Sequence, residues 1–116
     1  MIPNQELNEA LAKWRWPNPN YDIHMDSTEI KVFESPGHNV PLAQCRLFTL
    51  SLDSIWDILV PELGGNCRIV FTEVNWDTGK WAIDFCKGEG RNWNREAVAG
   101  LPAFGLCEAI WKAVKP

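Results

Sequence analysis

Three amphipathic helical stretches and one β-hairpin predict an α+β fold for this chain of 116 residues, a layered domain with a small antiparallel sheet. The helices are read from apolar residues that recur at three- and four-residue spacing, and the hairpin from strict alternation on either side of a polar turn. The length is that of one domain of ordinary size, 1–116. A composition of 46% hydrophobic and 22% charged residues is that of a globular protein, not a disordered one.

Asn4 is placed to cap the first helix, along which Leu7, Ala10, Leu11 and Trp14 form one apolar face that ends before Pro17. Trp16–Asp26 holds two prolines and two asparagines and reads as loop. Thr28–Glu34 has the β-branched and aromatic residues of a short strand, and Ser35-Pro36-Gly37 is a turn. Val40–Leu47 is ambiguous, because Pro41 argues against a central strand.

Thr49 or Ser51 caps the second helix, with Asp53 in its first turn. Leu52, Ile55, Trp56, Leu59, Val60 and Leu63 make its apolar stripe. Pro61 has no N–H for the carbonyl of Asp57, so the last turn is kinked or broken, and Gly64-Gly65 stops the helix.

The hairpin spans 67–74 and 80–87 around Asn75-Trp76-Asp77-Thr78-Gly79, and its apolar face calls for a covering helix. Lys87–Gly100 reads as loop. Pro102 opens the last helix, whose stripe is Cys107, Ile110, Trp111 and Val114 with Leu106 beside it. Lys112 and Lys115 suit its negative end.

Two of these stretches resemble the phage ABA sandwich domain family of small phage and prophage proteins. Phe48–Gly64, FTLSLDSIWDILVPELG, is similar to that family's entry to its central helix, an aromatic residue followed by Thr-x-Ser-x-Asp-x-x-Trp. Leu101–Val114, LPAFGLCEAIWKAV, is similar to its C-terminal helix, although Glu108, Ile110 and Trp111 stand where small or basic residues are commoner. Trp14-Arg15-Trp16 and the Pro-Gly loop follow the same order. The resemblance implies an α/β/α sandwich of phage or prophage source, with no catalytic residues to carry over.

A formal net charge of -4 disfavours a nonspecific duplex-DNA binder. The charge is uneven: residues 1–66 hold 4 basic and 9 acidic groups, and 67–116 hold 7 and 6. An anionic ligand therefore suits the second part better, and a basic partner surface the first. No apolar run is long enough for a membrane span, and the N-terminus lacks the apolar core of a secretory signal, so a cytoplasmic location is expected, which the phage resemblance implies is that of a bacterial host. Cys45, Cys67, Cys86 and Cys107 lie too far apart for paired zinc or redox motifs; the last three read as small buried hydrophobes. His24 and His38 are isolated, and no metal or cofactor is expected.

No nucleophile elbow, P-loop or zinc-protease motif is present, so a non-catalytic protein is expected. Asp53 and Asp57 lie four apart on one helix, a spacing that can share a metal, although solvated carboxylates are the plainer reading. Lys87–Arg95 supplies an alternative function, binding or sequestering a nucleotide or small anion. Arg91 and Arg95 would fork onto phosphate and Trp93 would stack on a base. The plainer reading is a loop pinned to the core by Trp93. Trp14, Trp56, Trp81 and Trp111 fall on buried faces, whereas Trp16 and Trp76 lie by loops and are interface candidates for a protein partner, such as a host factor or defence component. An uncovered hairpin edge would also pair with a second copy of the chain.

Overall fold

The computed structural model describes residues 2–34, 40–63, 67–75, 80–87, 94–99 and 101–115. Within the second sheet, side chains are described for 68–71, 82–84 and 86. These residues form an α+β fold of three helices and two three-stranded antiparallel sheets.

Helix α1 is Gln5–Arg15. Its buried side is Asn8, Leu11 and Ala12, with Leu7 and Trp14 half-buried, so the stripe is turned from the one the apolar residues outline. Asn4 occupies the cap position but caps nothing with its side chain; it sits in the left-handed region at φ 51°, which asparagine tolerates better than most residues. The polar work at this end passes to Asn8, whose amide donates to the carbonyls of Pro3 and Asn4 at 3.2 and 3.1 Å.

The first sheet is β1 (Tyr21–Met25), β2 (Glu29–Glu34) and β3 (Ala43–Arg46), in that order. The sequence reading found β2, left β3 open and took β1 for loop. Tyr21, Ile23 and Met25 do alternate with exposed Asp22 and His24, but over five residues flanked by Asn and Pro the pattern is short. The turn between β1 and β2 is built by Asp26, whose carboxylate accepts from the N–H of Thr28 and Glu29 and from the Thr28 hydroxyl at 2.7–2.8 Å. Those bonds, led by the Thr28 N–H, hold the Asp26 carboxyl below its ordinary 3.8. A depressed folded pKa means that the turn's contribution to stability is complete above the unfolded value and is lost as pH falls through the folded one. An NMR titration of the Asp26 carboxyl carbon is expected to give a midpoint below 3.8 in the native protein; a midpoint at or above it would show that the turn does not hold the charge.

A 3-10 turn, Phe48–Leu50, leads into the second helix, α2, made of three pieces: Leu52–Ser54, Ile55–Leu59 and Val60–Leu63. Ser51 is the cap, accepting from the Ser54 N–H at 3.2 Å, while Thr49 is buried. The middle piece is a π-turn and the last a 3-10 turn. The buried residues Ile55, Leu59 and Leu63 are spaced at four, while Leu52 and Trp56, expected in the stripe, are 38% and 45% exposed. Trp56 instead tilts against Phe71 with ring centroids 6.3 Å apart. In a 3-10 turn the carbonyl of Ile58 would look to residue 61, and Pro61 has no N–H to offer. Arg15 fills the gap from α1, its Nε donating to that carbonyl at 3.1 Å while a terminal nitrogen lies 3.6 Å from Glu62.

The expected hairpin is β4 (Cys67–Asn75) with β5 (Lys80–Lys87), and β6 (Asn94–Ala99) adds to the far side of β5. β6 lies in the stretch read as loop. Its sequence, NREAVA, has one β-branched residue, so the demand of β5 for a partner and the cover from α3 place it rather than its own propensity. Helix α3 is Pro102–Val114 and buries Leu106, Cys107, Ala109 and Ile110 completely. Each large side chain among them contributes about 1.5–3 kcal/mol. One core joins α1, β2, Leu47, Phe48, α2, Ile83 of β5 and α3.

Candidate functional site

The sequence-derived candidates do not converge. Arg91, Trp93 and Trp76 lie outside the described residues. Arg95 is on β6, opposite Asp84 of β5 in the strand register. Trp16 is not an exposed aromatic: it is only 7% accessible and stacks on Phe48 at 6.3 Å with the planes 24° apart. Although Trp16 follows the last residue of α1, its N–H still reaches the Ala12 carbonyl at 2.8 Å, which keeps it on the helix course and turns its ring inward. It is a core residue, with the Arg15 guanidinium 5.5 Å from its ring.

Asp53 and Asp57 do share one side of α2. Both are exposed and line a hollow of about 460 Å³ between α2 and β3, together with Cys45, Arg46, Ser51 and Ser54. Among the described residues no three His, Cys, Asp or Glu side chains group as a metal site. Burial pushes the Cys45 thiol up to about 11, a hydrogen bond with Ser54 partly opposing the rise, so the thiol is protonated near neutrality. Cys107 is raised further by burial and by the charge of Glu108. Cys86 and Cys107 are buried, as their apolar surroundings in the sequence predict; the side chain of Cys67 lies outside the description.

The largest described hollow, about 930 Å³, lies where α1 runs beside α3. Its apolar lining is Ile2 and Leu7 from the first segment and Phe104 and Trp111 from α3, all half-buried. The charges around it are Glu6 and Glu9 on α1, and Glu108, Lys112 and Lys115 at α3. Gln5 donates to Glu9 at 2.8 Å, which fixes that carboxylate on the rim. A second hollow of about 390 Å³ shares Ile2, Gln5 and Glu9 and extends the groove to Ile23, His24 and Met25 of β1. The exposed His24 ring stands edge-on to Phe33 at 5.4 Å.

This groove was not assembled from the sequence. Leu7 and Trp111 were read as members of separate buried stripes, and nothing local says that α1 lies against α3. A floor of apolar rings and a rim of both charge signs is a surface on which a helix or loop of another protein can lie. No described helix is long and apolar enough to cross a membrane. No family model, curated protein or solved structure matches this chain.

Proposed function

We propose that this chain is a non-catalytic accessory protein of the phage type that its sequence resembles, and that it acts by holding a partner protein in the groove between α1 and α3. The observation that carries this reading is the groove itself, with Leu7, Phe104 and Trp111 only half-covered at its floor. Half-buried aromatic side chains have ring area left to bury, and such anchors supply most of the energy of protein interfaces. The partner segment that fits is an amphipathic helix, with apolar residues for the floor and basic residues for Glu6 and Glu9. The net negative charge of residues 1–66 works in the same direction by favouring encounter with a basic surface.

The test is affinity capture from bacterial lysate with wild type and two variants, Glu6→Lys/Glu9→Lys and Phe104→Ala. Circular dichroism establishes that each variant is folded. A protein held by wild type is expected to be lost from both, by about tenfold or more for Phe104→Ala if it is an anchor. A partner that both folded variants retain at full strength does not use this groove, and the reading fails.

A further inference from the structure

β3 is an edge strand: among the described residues it pairs with β2 and with no other strand. Its outward backbone groups follow from the register. The Leu47 N–H donates to the Thr28 carbonyl at 3.1 Å, which extends the β2–β3 ladder by one hydrogen-bonded pair. Antiparallel ladders alternate bonded and non-bonded pairs, so the Arg46–Glu29 and Gln44–Lys31 pairs are non-bonded. The N–H and C=O of Gln44 and Arg46 therefore point away from β2. Four strong hydrogen-bonding groups stand along this edge, symmetrically about Cys45.

Ala43-Gln44-Cys45-Arg46 contains no proline and no lysine. The hollow beside it carries both charge signs, Arg46 against Asp53 and Asp57, as a surface that meets itself across a two-fold axis requires. Next to that hollow, and sharing Arg46, Ser51 and Asp53 with it, lies a second one of about 570 Å³ where Leu50, Leu52 and Leu101 are 49%, 38% and 58% exposed. Those leucines supply apolar area that four hydrogen bonds alone do not.

We infer that β3 is a self-association edge, where a second copy of this chain adds its own β3 antiparallel across a two-fold axis through Cys45 and joins the two three-stranded sheets into one of six strands. In that register each Gln44 is a bonded pair with Arg46 of the second copy, and all four outward groups on each chain find partners. The two Cys45 residues face each other as a non-bonded pair. Such pairs bring their Cβ atoms to about 4.5–5.5 Å, close to the reach of a disulfide. This surface is separate from the α1–α3 groove, so self-association and capture of another protein stand or fall independently.

Sedimentation velocity over a concentration series tests the inference, together with copper–phenanthroline oxidation and peptide mapping. Oxidation removes two electrons and two protons from a pair of thiols, with oxygen as the final acceptor. Wild type is expected to show a species of twice the chain mass and a Cys45–Cys45 disulfide. Gln44→Pro removes one outward N–H per copy, two bonds per dimer, at a position where β2 is not the acceptor. It is expected to weaken self-association about 30-fold and to abolish the cross-link. Cys45→Ser is expected to sediment as wild type and give no cross-linked species, which keeps the test sound if the proline variant misfolds. A wild-type chain that stays monomeric, or a dimer that cross-links through another cysteine, overturns the inference.

Discussion

Trp16→Ala is expected to cost about 3–5 kcal/mol of folding stability, the range for emptying a large aromatic site in a packed core. The residue is only 7% accessible, and its ring stacks on Phe48, which is completely buried. Removing it takes away a transfer contribution, an aromatic contact of about 0.5–1.5 kcal/mol and the support for Phe48 at once, and these overlap rather than add. Trp16→Phe keeps an apolar ring in the site and is expected to lose less than half as much. Urea unfolding followed by far-UV circular dichroism measures both. A loss below about 1 kcal/mol for the alanine variant would mean that the ring lies on the surface after all. The same result governs binding experiments: a failed capture by Trp16→Ala would report unfolding, not a lost contact.

Asn8→Ala is expected to be nearly as damaging, at about 2–4 kcal/mol. Asn8 is fully buried beside fully buried Thr49, 41 positions further along the chain. Its Nδ2 donates to the Thr49 hydroxyl at 2.9 Å, and its Oδ1 accepts from the Thr49 N–H at 3.3 Å. Truncation leaves a buried backbone N–H and a hydroxyl without that partner, which costs more than the bonds contributed. Adding Thr49→Val to Asn8→Ala removes the stranded hydroxyl. The double variant is therefore expected to lose less than the sum of the two single losses, by about 0.5–3 kcal/mol in a double-mutant cycle. Strict additivity in urea melts would show that the two side chains do not act as a unit.

Asn8 also shows why part of this molecule was hidden in its sequence. A polar residue on the buried side of α1 turns the visible apolar stripe away from the real one. Only the arrival of Thr49 from a distant turn makes that burial tolerable. The same holds for the candidate sites. The spacing of Asp53 and Asp57 did place them on one side of α2, because four residues along a helix is a local relation. Trp16 was misplaced because a tryptophan beside a proline-rich loop looks exposed until Phe48 is set against it. The α1–α3 groove and the β3 edge had no local signature, since each depends on which element lies next to which.

The residues alone determined the fold class, the three helices and the β4–β5 pairing, because periodicity, caps, prolines and alternation act over a few neighbours. They also determined that Cys86 and Cys107 are buried, through the apolar residues around them. Tertiary structure decided what depended on distant partners. β6 is a strand because β5 and α3 hold it, and β1 because β2 offers a ladder. The carbonyl of Ile58, which Pro61 cannot serve in a 3-10 turn, takes its donor from Arg15 of α1. Strand pairing, burial of polar groups and the facing of two helices are free energies of contact between segments far apart in the chain, and the local pattern carries only the neighbours' share of them.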